Sequence, residues 1–316
     1  MLKTILSIIA VFIFIQCENP IQAVSNHVIH APQTVWQGIS GERCMGLAAS
    51  PKEKQLALII GKTLASDQYD QKFNSNDTIM NRLVILGTES RKIYYQFDFG
   101  SDSLSNLVWS SDGKFLLFLK AQQILLLNIK TGILRPLSLP FKNYSRLLRW
   151  GPSSYDLTVM LNRDGKIRPG IFNLSKQDTF LIKTSLPDDI SDFNWSPGGK
   201  YVVYCTGDSV FMFQYESHSK KAIAKTRLPV GASLFRWMRG NADVRKKLGN
   251  FALFKNFNQI GIFYLKTNEW QTVGDLQPQY ISDICWASDG QSIFYISEEN
   301  GNRNKIISEQ ILYVSP

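Results

Sequence analysis

Two aspartates stand at the same place in two distant segments. Asp192 lies three residues before Trp195 in ISDFNW, Asp283 lies three before Trp286 in ISDICW, and Asn106 holds the matching position before Trp109 in LSNLVW. Carboxylates gathered from separate segments suit glycoside cleavage, where one acid protonates the leaving oxygen and the other serves as nucleophile or base. The same side chains also hydrogen-bond ligands, or cap the start of a strand. A second candidate is the run MRGNADVRKKLGN, which places Arg239, Arg245, Lys246 and Lys247 within nine residues. Four such cations can hold an anion, and a solvated charged loop carries the same composition.

Other chemistry finds less support. The histidines are His27, His30 and His218, and HVIH pairs the first two near the chain start. A metal-dependent hydrolase or lyase needs clustered histidines and carboxylates, so no metal and no cofactor is expected. A peptidase needs a nucleophile elbow, and no Gly-x-Ser-x-Gly run is present. The enzyme reading that survives is a glycoside hydrolase or lyase using Asp192 and Asp283.

The elements that would position these residues repeat. Ile190 to Tyr204 reads ISDFNWSPGGKYVVY, Ile281 to Tyr295 reads ISDICWASDGQSIFY, and Leu104 to Leu119 reads LSNLVWSSDGKFLLFL. Each is strand, Trp, tight turn, strand, with Asp-Gly or Gly-Gly supplying the positive φ of a two-residue primed hairpin. In register, Trp109, Trp150, Trp195, Trp237 and Trp286 are 41, 45, 42 and 49 residues apart, the length of a four-stranded blade. A degenerate copy from Met45 to Ile60 puts Ala49 in the Trp place and brings the count to six. Repetition at one register marks the tryptophans as packing residues.

Two units depart from the pattern. Gly61 to Asn81 inserts a polar stretch, either a binding loop or a loose insertion, and the fifth unit replaces its tight turn with the basic loop. The sixth unit lacks a fourth strand, and the strand-like segment His30 to Ser40 has no partner of its own. The expected fold is therefore all-β: a six-bladed β-propeller of four-stranded antiparallel blades over residues 24–316, its last blade closed by that N-terminal strand.

At WSPGGK and WASDGQ the chain resembles the TolB-type repeat family, WD40-like (PD40) propellers whose copies read Trp-Ser-Pro-Asp-Gly-Lys before an apolar strand. Units two, four and six carry the resemblance best, with Gly198 where Asp is usual. It implies the propeller and little about activity, since such propellers include scaffolds, peptidase-gating domains and a few sugar-cleaving enzymes.

Residues 1–23 read as a signal peptide, with Lys3 before the apolar run Ile5 to Ile15 and cleavage after Ala23. A competing reading makes Cys17 a lipidated residue of the lipoprotein type, against which Gln16 stands where a small residue is usual. The mature chain keeps no transmembrane segment, and the whole of 316 residues is 44% hydrophobic with a net charge of +9. Such a balance favours anionic partners, yet no nucleic-acid motif appears and export argues against that class. Cys44, Cys205 and Cys285 remain, an odd number. They read as small buried hydrophobes, with one Cys44 to Cys285 bridge across the ring closure as an alternative. The expectation is an exported propeller of the periplasm or cell envelope, membrane-anchored if Cys17 carries lipid. It would bind a protein partner or anionic envelope component as a scaffold, with the carbohydrate-active enzyme as the alternative.

Overall fold

The uninterrupted apolar run of the second unit is sorted by strand periodicity. Leu116 and Phe118 pack on one side with Ala57, Leu83 and Ile85, while Leu117 and Leu119 pack on the other with Leu148, Trp150 and Val159. Successive side chains of a strand point to opposite faces, so a strand that is apolar throughout belongs to a sheet covered on both sides.

The computed structural model describes residues 33–310 apart from 40, 65–77, 140–143, 152, 154, 164–165, 183, 185, 188–189, 218, 220, 233, 241, 257–258, 274–279 and 300–301. Strand β1 (Gln33–Gln37) precedes the first full blade, which is β2 (Glu42–Ala49), β3 (Gln55–Leu64), β4 (Thr78–Gly87) and β5 (Ile93–Asp98). The second blade is β6 (Leu104–Trp109), β7 (Phe115–Lys120), β8 (Gln123–Asn128) and β9 (Leu134–Leu137). The third is β10 (Tyr144–Trp150), β11 (Asp156–Arg163), β12 (Lys166–Asn173) and β13 (Thr179–Leu181). The fourth is β14 (Ile190–Trp195), β15 (Tyr201–Thr206), β16 (Ser209–Glu216) and β17 (Lys221–Arg227). In the fifth, helix α1 (Ala242–Leu248) separates β18 (Leu234–Trp237) from β19 (Phe251–Lys255), β20 (Ile260–Tyr264) and β21 (Glu269–Thr272). The last blade has β22 (Ile281–Trp286), β23 (Ser292–Glu299) and β24 (Asn302–Gln310), and β1 pairs antiparallel with β24 to complete it. Six four-stranded sheets result, in the order expected for a propeller. No helix among the described residues is long and apolar enough to cross a membrane.

A cluster of buried apolar residues fills each junction between neighbouring blades, including the one where β2 meets β22. All five register tryptophans are buried. Three of them also join blades through the indole N–H: Trp109 donates to Ala48 O at 3.0 Å, Trp150 to Val108 O at 2.8 Å and Trp286 to Arg236 O at 3.0 Å. In each case the acceptor lies one residue before the Trp position of the preceding blade. Trp195 instead donates to Thr158 Oγ1 at 2.8 Å, and the buried Trp237 Nε1 has no acceptor among the described residues.

The structure corrects several expectations. The turn after Trp is five residues long, Ser110 to Lys114 in the second blade, not a two-residue primed hairpin; Gly113 N bonds back to Ser110 O at 2.9 Å. Asp112 accepts from Ser110 Oγ at 2.7 Å and Lys114 N at 3.1 Å, and the positive φ falls on Gly113 instead. In the fourth blade Pro197 precedes Gly198 at φ +82°, the pattern of a type II turn, which is why Gly can replace Asp there. The polar insertion is shorter than Gly61 to Asn81, because β3 and β4 stay paired out to Leu64 and Thr78. The basic loop of the fifth blade contains α1, ended by Gly249 at φ +76° in the left-handed C-cap conformation. None of Cys44, Cys205 and Cys285 is in a disulfide; Cys44 Sγ donates to Gly46 O at 3.4 Å.

Closure by β1 makes the whole ring depend on five residues near its start. Deleting residues 24–40 exposes the β24 edge and uncovers the cluster that holds Val35. The expected loss of about 3 kcal/mol corresponds to a fall of roughly 5–10 °C in the melting midpoint by calorimetry. An unchanged midpoint would remove β1 from the stability of the ring.

Candidate functional site

The innermost strands β2, β6, β10, β14 and β22 each carry a register break just before the Trp position, between Cys44 and Gly46, Ser105 and Val108, Tyr144 and Leu148, Ile190 and Asp192, and Ile281 and Ile284. A bulge bends the strand and re-aims side chains. Here it falls at the residues three before Trp, including Asn106 at φ +64°, a left-handed conformation that Asn tolerates better than most residues. The wall of the central channel takes Arg149, Asn194 and Arg236 from the position one before Trp, and Asn106 and Asp283 from the position three before it.

The channel holds a cavity of about 340 Å³. Its wall includes Asn106, Arg149, Asn194, Arg236, Arg239 and Asp283, with Leu47, Leu107 and Val108 as apolar neighbours. Asp192 lies behind this wall, 2% exposed, and collects donors from three blades. Its Oδ1 accepts from Arg149 Nη2 at 2.6 Å and Phe193 N at 2.9 Å. Its Oδ2 accepts from Phe235 N at 3.0 Å, from Asn194 Nδ2 at 3.1 Å, and from Arg236 Nη1. Arg149 Nη1 in turn donates to Asn106 Oδ1 at 2.8 Å, and Asn194 Nδ2 donates to Phe235 O at 2.6 Å. One side-chain network therefore runs from the second blade to the fifth. Asp283, partly open to the channel, accepts from Leu47 N at 3.3 Å and Ile284 N at 2.9 Å, joining the last blade to the first.

The two carboxylates behave oppositely. Burial opposes ionisation of Asp192, but Arg236, Arg149 and the Phe235 N–H outweigh it and hold the carboxyl below the ordinary range. At Asp283 burial prevails over the more distant Arg236 and Arg149, and the carboxyl is pushed up. Arg236 is raised because Asp192 and Asp283 overcome its burial, whereas burial leads in lowering Arg149. Burial, then Arg149 and Arg245, pushes Arg239 down to about 10.

Among the residues picked from the sequence, the structure brings together Asn106, Asp192, Asp283 and Arg239 around the channel. Arg239 leaves the basic run and donates through Nη2 to Trp195 O at 2.9 Å. Arg245 Nε donates to Gly240 O at 3.3 Å, Lys246 is exposed on α1, and Lys247 lies on the same helix. The run is thus split between channel and surface. Arg149 and Arg236 were missed. Their signal was the Arg-Trp pair in LLRW and LFRW, one residue before the register Trp and so on the same face as Asp192. Cys17, His27 and His30 lie outside the described residues, as does His218. Among the described residues no group of three or more His, Cys, Asp or Glu could hold a metal ion.

No family model and no curated protein matches the chain. Solved structures do. TolB from Acinetobacter baumannii superposes with a TM-score of 0.54 at 13% identity, over 86% of this chain and 64% of that one. An auxiliary nutrient binding protein from Bacteroides thetaiotaomicron gives 0.57 at 10% identity, over 88% and 76%. The β-propeller domain of Cps50 (Swd1) from Myceliophteria thermophila gives 0.52 at 13% identity, over 88% of each chain. The chain spans 64% of the length of that TolB. At these identities the likeness concerns the propeller fold alone.

Replacing Asp192 with Ala leaves Arg149 and Arg236 without their shared partner, and stability to urea is expected to fall by about 3–5 kcal/mol. The acid limb carries a second signature. Asp192 is depressed in the folded protein, so its contribution is complete above the unfolded carboxyl value near about 4 and is lost as pH falls through the lower folded value. Asp283, raised, contributes with the opposite sign. Stability below about pH 4 should therefore decline less steeply in Asp192→Ala than in the unaltered protein. Equal slopes in an acid titration would show that Asp192 is not the source.

Proposed function

We propose that this chain is a binding module that takes its ligand or partner at the central channel. The observation that carries the reading is the cavity of about 340 Å³ lined by Asn106, Arg149, Asn194, Arg236, Arg239 and Asp283, with apolar stretches at Leu47, Leu107 and Val108. Concave sites with a few converging polar groups are the usual form of ligand pockets. The polar wall is also preorganised, since the network through Asp192 fixes Arg149, Arg236 and Asn194 before anything binds. The likeness to a propeller described as an auxiliary nutrient binding protein, and to TolB, agrees with a binding role.

The glycosidase reading is weaker on one specific point. Asp192 is 2% exposed and both its oxygens are occupied by donors from Arg149, Arg236 and neighbouring groups, so it has no lone pair left for a sugar. Asp283, raised and partly open, has no second carboxylate beside it on the cavity wall among the described residues, and the chemistry requires two. We place the protein outside the cytoplasm, in the periplasm or cell envelope, on the strength of the signal-like residues 1–23. Cys17 is a lipid anchor if cleavage precedes it, which mass spectrometry of the mature N-terminus decides.

A photo-crosslinking residue at Ser105, exposed beside the cavity, should trap one discrete adduct in intact host cells. The same group at Lys176, exposed in the turn before β13, should trap none. Equal labelling at both sites would remove the channel as the binding site. Hydrolysis of a polysaccharide panel, lost in an Asp192→Ala/Asp283→Ala double variant that still folds, would reinstate the enzyme.

A further inference from the structure

The channel holds more positive charge than it neutralises. Arg149 and Arg236 share Asp192, and Asp283 acts on both of them from the last blade. Arg239 is the third guanidinium on the same cavity. Its Nη2 donates to Trp195 O at 2.9 Å, and no carboxylate among the described residues forms an ion pair with it. The charges that act on it are those of Arg149 and Arg245, both positive. Even pushed down to about 10, the guanidinium stays protonated at neutral pH. A half-buried cation without a counter-ion leaves its charge free for an anion from outside, and a guanidinium has five donors, arranged as a fork that matches a carboxylate.

Size and charge narrow the ligand. A cavity of about 340 Å³ is at the small end of ligand sites. With Asp192 and Asp283 both ionised, three guanidiniums against two carboxylates leave one positive charge, which a monoanion balances and a dianion exceeds. The apolar wall at Leu47, Leu107 and Val108 suits a short carbon skeleton better than a bare inorganic ion. We propose that the channel binds a small organic monocarboxylate, its carboxylate held by Arg239 and its skeleton against Leu107. This rests on the channel being the binding site, and it adds the chemical class of what binds there.

The test is calorimetric titration of the full protein with sodium butyrate at fixed ionic strength, with butyramide, phosphate, sulfate and chloride as comparison probes. Saturable binding of butyrate is expected, with no heat from butyramide or chloride. Arg239→Gln should weaken butyrate at least about tenfold, because it removes the charged fork; Lys176→Gln should leave it unchanged. Should the Gln variant not fold, Arg239→Lys keeps the charge, loses the fork, and is expected to weaken binding as well. Butyramide binding as well as butyrate, phosphate or sulfate binding more tightly, unaltered affinity after loss of Arg239, or no binding by any probe would each overturn the proposal. A Ser105 adduct together with no carboxylate binding would retain the channel reading and discard the monocarboxylate. Carboxylate binding without an adduct would do the reverse for a macromolecular partner.

Discussion

Every sheet in this protein is apolar on both faces, and that constraint governs the rest. A blade such as β6 to β9 buries Leu116 and Phe118 against one neighbour and Leu117 and Leu119 against the other, so no blade satisfies its own surface. The arrangement is stable only when the row of sheets returns on itself. Pairing of β1 with β24 achieves the return and protects an edge that would otherwise offer free backbone groups. The indole N–H bonds from Trp109, Trp150 and Trp286 to the preceding blade reinforce the same junctions with a directional contact that apolar packing lacks.

Closing the ring creates the channel, and the channel creates an electrostatic problem. Inner strands converge, and Asn106, Arg149, Asn194, Arg236 and Asp283, each one or three residues before Trp, face the cavity. Charges at those positions leave bulk water and must find partners. Asp192 solves this for two arginines at once by drawing on the third, fourth and fifth blades, so that a carboxylate which could have served chemistry is used to hold the wall together. Such a network is stiff because removal of any one member strands the others. Arg239 stands outside it, and this difference turns a structural wall into a wall with one unspent recognition group.

Local chemistry and tertiary geometry answered different questions. The six units, the order of their strands and the closing strand are legible in the repeated Trp, the turn residues and the apolar runs, because strand period and turn conformation are properties of a few neighbouring residues; strand ends, such as those of β3 and β4, are not. The turn type was misjudged, since Asp112 works by accepting hydrogen bonds while Gly113 alone takes positive φ. Helix α1 was overlooked because seven residues, of which Val244 is partly buried against the core, make too short a period to stand out.

By itself the sequence determined that this is a ring of repeated hairpins, that the register tryptophans pack between blades, and that Asn106, Asp192 and Asp283 occupy one equivalent position. Only the tertiary structure decided what that position means. Asp192 meets Arg149 and Arg236 across 43 and 44 residues of chain, and Arg239 faces the cavity while Lys246 of the same basic run is exposed on α1. The physical reason is that pattern along a strand reports which face a side chain takes, whereas the partner it meets on that face is set by curvature and bulges that bring separate blades to a common axis.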